Sequence, residues 1–319
     1  MRAGALGNAG LALAVISGAT FGTSGTFASS LIDAGWTPGA AAIVRVVIAA
    51  VLLTVPALNQ LRSHRVSARA WRTALLYGVF AVAVSQVCYF NAVAHLSVAV
   101  ALMLEYSGIL LVVAWGWVRH GNRPRGLTLI GGAAALGGLA LVLDVAGSSH
   151  HFDLVGVLWG LGAAVGLAVY FVVASLTDDV LPPLAMAWGG LAAGSTLLGI
   201  AAAAGVLPIR LTTASVTLLD RQVSWLFPVL GLAVVAGIVA YLTGIAAARM
   251  LGARLASFVG LTEVLSAVIV AWLLLGQRLD AVQLAGGALL VTGIALVRLD
   301  EMREPANPSA TRPRQVALA

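Results

Sequence analysis

The chain is 319 residues long, 61% hydrophobic and 9% charged, with a mean hydropathy of +1.01. A soluble domain carries about 25% charged residues, so a soluble globular protein is excluded and a polytopic membrane protein is indicated. The net charge of +6 comes from eighteen basic residues, all arginine, set singly or in short groups between apolar runs. That is a pattern of orientation in a membrane and not of nucleic-acid binding.

Ten apolar runs are long enough to span. They are Gly10 to Ile32, Gly39 to Leu58, Ala74 to Ala94, Val98 to Val118, Leu127 to Leu143, Leu154 to Leu176, Leu184 to Val206, Trp225 to Ala247, Leu255 to Leu275 and Ala281 to Val297. Residues 1–9 read as a short cytoplasmic N-terminus. The first run continues past signal-peptide length without a cleavage signature and reads as a retained helix. With the N-terminus inside, Arg2, the groups Arg62 to Arg72 and Arg119 to Arg125, Arg249, Arg254, and the arginines from Arg298 onward all fall on the cytoplasmic side. They make up fourteen of the eighteen. Both termini are therefore expected in the cytoplasm of an inner-membrane protein. The weak point is the connection Thr177 to Pro183, which this topology puts inside although it carries Asp178 and Asp179 and no arginine. The stretch 300–319, rich in proline and charge, reads as a disordered cytoplasmic tail.

Several runs carry polar residues. The first has Ser17, Thr20, Thr23, Ser24 and Thr26 among glycines, which suits close helix packing as well as a wet wall. Arg45 lies within the second run, able to pair with an acid, bind a substrate carboxylate or snorkel outward. The third places Gln86, Tyr89 and Phe90 on one face at i, i+3, i+4 spacing, followed by Asn91. The fourth holds Glu105 near its middle and the ninth holds Glu263. A charge at such depth costs roughly 2.5–3.5 kcal/mol on insertion scales, so both acids call for a polar environment. An acid there holds an ammonium group or takes and releases a proton; the alternative is a paired acid that only orders the bundle.

A shift of 155 residues lays the end of the first half on the end of the second without a gap. Ala92 meets Ala247, Trp117 meets Trp272, Arg123 meets Arg278, and Gly131-Gly132 meets Gly286-Gly287. In this register Glu105 faces Gly260, Glu263 faces Gly108, and Tyr241 stands opposite Gln86. A looser shift of 144 pairs Gly18 with Gly162, Gly22 with Gly166 and Phe27 with Phe171. The expected fold class is an all-α integral membrane protein of ten transmembrane helices in two inverted five-helix repeats, residues 10–144 and 153–299. An odd number of helices per repeat makes the copies enter from opposite sides, the architecture of secondary transporters with a midplane site.

The layout, with "AVAHLSVAVALMLEYSGILLVVAW" in the first half and "AARMLGARLASFVGLTEVLSAVIVAW" in the second, resembles the EamA-type branch of the drug/metabolite transporter superfamily. The resemblance covers nearly all of Gly10 to Arg298. Within it, Glu105, Tyr106, Ser107 and Gly108 are similar to the fourth helix of threonine and homoserine exporters, which adds Tyr106 to the candidate site. Ile109 stands where those exporters carry proline, Val264 where the family commonly has proline after its glutamate, and Gln277 where an acid often follows glycine. The resemblance implies a secondary transporter, with export of amino acids or small polar metabolites as the first expectation. Import or exchange of another metabolite class is the second.

A membrane enzyme is the reading from another class, and the sequence gives it little. "GTSG" at Gly22 to Gly25 has no histidine to serve Ser24 as base within the spans, where His95 comes only at a helix end. Asp178-Asp179 lacks the further acids of a diphosphate-binding magnesium site, and the absence of lysine excludes a phosphate-cradling loop. Cys88, the single cysteine, excludes an intrachain disulfide. No enzyme activity, cofactor, metal or nucleic-acid partner is expected; the partners are a small-molecule metabolite, lipid and a coupling proton, and oligomeric state stays open. The topology predicts that, in a Cys88→Ala background, cysteines at Ser67 and Ser309 react with an impermeant thiol reagent only from the cytoplasmic side, and one at Ser149 only from outside. Labelling of Ser67 and Ser309 from opposite faces refutes it.

Overall fold

A computed structural model of the chain describes residues 2–63, 66–96, 98–121, 123–143, 153–176, 181–218, 221–275 and 281–302. The acids Asp178 and Asp179, the residues Gln277 and Arg278, and the tail from Arg303 lie outside these. The described residues are almost entirely helical: α1 (Arg2–Asp33), α2 (Pro38–Arg62), α3 (Ala68–Leu76), α4 (Ser85–His95), α5 (Val98–Tyr106), α6 (Gly108–His120), α7 (Gly126–Val142), α8 (Leu154–Ala174), α9 (Pro183–Ala203), α10 (Leu226–Leu230), α11 (Ala240–Gly260), α12 (Thr262–Leu275) and α13 (Ala281–Met302). A two-stranded hairpin, β1 (Val216–Leu218) with β2 (Arg221–Val223), interrupts them.

Eight continuous helical stretches among the described residues are long and apolar enough to cross a membrane, and Gly126–Val142 is a shorter apolar one. One of the eight, Leu226–Gly260, runs for 35 residues. It folds back at Gly252, whose φ of 78° is left-handed. Tyr241 before the bend and Gly260 after it line the same cavity, so this stretch descends and returns. Its return leg continues into α12 as the ninth pass, and the total is ten.

The repeat is visible in backbone detail. A π-helical stretch, Tyr77–Val84, joins α3 to α4, and another, Gly231–Val239, joins α10 to α11, at positions related by the 155-residue register. The fourth and ninth passes, expected as single helices, are each broken, at Ser107 and at Leu261. The hydroxyls of Ser107 and its counterpart Thr262 donate to the carbonyls of Leu104 and Val259, three residues back, at 2.5 and 2.8 Å. Such bonds compete with the helix ladder and bend it.

Helices α7 and α13, the last of each repeat, pack through glycines across the pseudo-two-fold. Gly131 lies on the backbone of Gly293, and Gly138 on that of Gly286 and Leu290. The register exchanges these two contacts, because Gly286 is the image of Gly131 and Gly293 the image of Gly138. Small residues let helix backbones approach without a hydrophobic driving force in lipid.

The structure adds detail at both ends of the chain and corrects one expectation, the start of the tail. Helix α1 runs from Arg2, so residues 2–9 are helical and continuous with the first pass. Asp300 is not in the tail: it lies in α13, 4% exposed, and accepts a 2.5 Å hydrogen bond from Thr128 at the start of α7. That bond holds the last turns of α13 to the bundle. The connection 204–225 is structured, because Trp36 Nε1 donates to the Thr212 carbonyl at 2.8 Å and the Thr37 hydroxyl to that of Pro208 at 2.8 Å. Around these bonds Leu31, Trp36, Val216 and Leu218 form a small core.

The passes end on two distinct faces. Gly7 sits beside the Arg298 guanidinium, Gly10 beside Met250 and Leu251, and Arg249 donates to the Leu181 carbonyl at 2.6 Å. This is the Arg-rich face. On the opposite face the hairpin is joined by His95 Nδ1 and Asp153 Oδ2 at 2.7 Å, which tie the end of α4 to the start of α8. Asp153 also caps α8 by accepting from the Val155 amide. That amide first, and His95 second, hold its carboxyl below the ordinary aspartate range.

The glycine contacts predict a sharp local contrast. A Cβ at Gly138 would come within 2.5 Å of the Leu290 amide nitrogen, whereas one at Gly137 would meet only a Leu289 methyl at 3.8 Å. Gly138→Ala should cost about 1–3 kcal/mol, the range for overpacking. Gly137→Ala should be neutral in the same denaturant titration in detergent.

Candidate functional site

A cavity of about 600 Å³ lies between the two repeats. Its floor is near Ala14, Gly244 and Ala247, and its walls rise past the acids to Ile32, Pro38, Leu143 and Gln283. These last residues sit at the helix ends of the face opposite the Arg-rich one. Toward the Arg-rich face the path is filled by a packed core that includes Tyr77, Met186 and Ile245, all fully buried.

Glu105 comes from α5, two residues before the break at Ser107, and Glu263 from α12, two residues after the break at Leu261. Both line the cavity. The Glu105 carboxylate accepts a hydrogen bond from the Ser85 hydroxyl of α4 at 3.1 Å. The Tyr106 hydroxyl faces the Glu263 carboxylate, so the residue next to one acid attends the other. Glu263 reaches its position because α1 has no side chain in the way. A Cβ on Gly18 or Gly22 would strike the backbone of Glu263 within 3.0 Å.

Arg45 projects from α2 into the same space, its Nη2 donating to Gln86 Oε1 at 3.3 Å. Its Nε is buried and has no hydrogen-bond partner. It lies within electrostatic reach of both acids, yet among the described residues no ion pair joins it to either. Two carboxylates and one guanidinium with a free donor thus share one cavity, unspent on one another. Around them stand Phe21, Tyr89, Phe90, Tyr170, Phe171 and Tyr241, giving faces for an apolar group or a cation.

Of the candidates from the sequence, Glu105, Glu263, Arg45, Gln86, Tyr89, Tyr106 and Tyr241 all line the cavity. Asn91 does not. Its amide donates to the Val87 carbonyl of its own helix at 2.8 Å, because a residue two beyond Tyr89 points to nearly the opposite side of α4. Sequence reasoning missed Ser85, although it sits at i−4 from Tyr89 and so shares its face. It also missed Tyr170, which the 144-residue shift pairs with Thr26. In α1, Ser17, Ser24 and Thr26 reach the cavity, while the Thr20 and Thr23 hydroxyls bond back to their own helix.

The acids are not held as halves of ion pairs, and this predicts their mutational behaviour. Breaking a buried ion pair costs roughly 3–5 kcal/mol by stranding the partner charge. Glu105→Gln strands none and keeps a partner for Ser85. Its thermal unfolding in detergent should match the wild type to within about 1 kcal/mol, the scale of one neutral hydrogen bond. A loss near the ion-pair range would show instead that the acid orders the bundle.

A protein-family model described as the EamA-like transporter family matches residues 8–144 and 154–299, one copy on each repeat. A search of curated proteins gives no match. A solved crystal structure of a protein is similar over 95% of this chain and 99% of its own, at 19% identity and a TM-score of 0.72. At that identity the likeness is one of fold.

Proposed function

From the premise that the chain belongs to the EamA-like transporter family, and so is a multi-pass membrane transporter of small molecules, we propose that it is a secondary transporter exporting amino acids or similar small amphoteric metabolites. The supporting observation is the cavity itself. A carboxylate from each repeat and an arginine with a buried, unpartnered Nε line one 600 Å³ space open toward one face. An ammonium group suits Glu105 and Glu263, and a carboxylate suits Arg45, whose planar fork favours that partner. The aromatic walls take the remainder of the ligand. The volume falls within the ordinary range of small-molecule sites, about 300–1,000 Å³.

Alternating access of the two repeats around this cavity supplies transport. The Arg-rich face is cytoplasmic by the positive-inside bias, so the described state faces outward. The protein sits in the inner membrane with both termini inside, and a proton taken up by Glu105 or Glu263 competes with a ligand's ammonium group for the same carboxylate. Uptake or exchange uses the same geometry, since the gradients set the net direction.

A counterflow screen in proteoliposomes, with labelled amino acids and a panel of neutral, anionic and cationic metabolites, tests the reading. Amphoteric substrates should exchange. Glu105→Gln and Glu263→Gln should each lower exchange by about tenfold or more, the effect of losing one charge-assisted bond of about 1.5–3 kcal/mol, and should change its dependence on pH. Exchange by both variants at the wild-type rate and with the wild-type pH profile would defeat it.

A further inference from the structure

The cavity is open at one end and closed at the other, and the internal repeat relates the two ends residue by residue. The closed end is sealed where α8 meets α11. Tyr170 stands over Gly244 so tightly that a Cβ there would fall on its hydroxyl, and Phe171 covers Gly260, where a Cβ would come within 2.8 Å of the ring. Tyr170 also packs against Tyr241, ring centroids 6.0 Å apart. The seal is a large side chain of α8 seated on a residue of α11 that has none.

The same registers that align the repeats carry this seat to the other end. The 144-residue shift takes Tyr170 to Thr26 on α1, and the 155-residue shift takes Gly244 to Tyr89 on α4. Both residues line the cavity. Among the described residues helices α8 and α11 pack closely, whereas their counterparts α1 and α4 make at most marginal contact. In the image pair, large and small are exchanged: the bulk is now on α4 and the small residue on α1. A tyrosine facing a tyrosine would overfill such a contact, and a glycine facing a threonine would leave it leaking.

We propose that the open mouth closes by Tyr89 of α4 seating on Thr26 of α1, the mirror of the Tyr170–Gly244 seat, as the latter opens toward the Arg-rich face. Closure swings the α4–α5 hairpin, which carries Tyr89 and Glu105, toward α1. Tyr89 is thereby the outer gate as well as a wall of the ligand cavity, and Thr26 is its socket. The inference rests on the alternating-access part of the functional reading, and it names the pair of residues that must meet in the state not described.

The primary readout of the test is a cross-link, with wild-type exchange as its control. In a Cys88→Ala background, cysteines replace Thr26 and Tyr89 in the full-length protein in proteoliposomes, and disulfide formation under a mild oxidant is followed by mass spectrometry. A disulfide requires Cα atoms within about 7 Å, so it reports closure. Adding Tyr170→Ala unseats the other end, shifts the population toward the closed mouth and should speed cross-linking several-fold; Gly244→Ala, which collides with the Tyr170 hydroxyl, should do the same and serves if the first variant fails to fold. No cross-link in folded protein overturns the proposal, and so does a cross-link whose rate neither variant alters. Absence of cross-linking while the wild type still exchanges substrate removes this gate alone. Absence of exchange in the wild type removes the transport reading instead.

Discussion

A carboxylate at mid-membrane depth must be kept wet, and the architecture follows from that need. Glu105 and Glu263 each sit within two residues of a helix break, and at both breaks a hydroxyl, Ser107 or Thr262, turns back onto its own helix. The breaks allow the fourth and ninth passes to bend around a cavity. Glycines at 18 and 22 on α1 then bring that helix onto the Glu263 backbone, leaving the carboxylate to face the cavity and not a neighbouring helix. A continuous helix at either place would keep its ladder intact and hold the acid against its packing partners.

The second constraint, under the proposed alternating access, is that two copies of one fold interlock while still able to rearrange. The α7–α13 pair meets through the reciprocal contacts of Gly131 with Gly293 and Gly138 with Gly286, backbone on backbone, which leaves no slack for sliding. The contacts around the cavity are different in kind. Tyr170 on Gly244 and Phe171 on Gly260 are side chains resting in glycine seats, and a ring can leave such a seat without breaking a backbone hydrogen bond. The bundle thus divides into a tight seam at the repeat ends and looser seats around the cavity. The π-helical stretches Tyr77–Val84 and Gly231–Val239 lie in the third and eighth passes, whose continuations carry the seats; π-bulges recur at functional positions in helices.

Much of this was legible in the sequence because membrane insertion leaves strong signals. The ten runs, the arginine bias and the 155-residue register follow from hydrophobicity, charge and spacing, and the acids stood out because a charge in an apolar run needs a reason. What the sequence hid was local. Asn91 looked like part of a polar face because it follows Tyr89 and Phe90, but helical period turns it away and the Val87 carbonyl takes its amide. Ser85 looked like one more small helix residue; only the approach of α5 makes it the donor to Glu105. Asp300 opened a stretch whose composition reads as disordered, and a single hydroxyl partner, Thr128, keeps it helical and buried. The structured connection between α9 and α10 has no periodicity to betray it, since it is held by bonds such as that from Trp36 to the Thr212 carbonyl. Long-range hydrogen bonds of this kind leave no trace in any local window.

The repeats are also unequal in a way that bears on energetics. Helices α2 and α9 both begin with proline, Pro38 and Pro183. Counting from those prolines, the counterpart of Arg45 is Gly190, and that of Ala49 is Gly194. The contacts confirm the register: Gly237 meets Ala49 as its image Val82 meets Gly194. Where the first repeat puts a guanidinium into the cavity, the second has a glycine against which Tyr77 lies, with a Cβ there falling 2.5 Å from the ring. The open half thus offers a cation, and the closed half an aromatic plug. Under the proposed alternating access, the two faces would present different surroundings to one ligand, and its affinity would differ between the two states by whatever Arg45 contributes in one and not in the other. That difference sets how the states are populated when ligand binds. It leaves the direction of net movement to the gradients, because a difference in binding between two states of one catalyst cannot drive a cycle by itself.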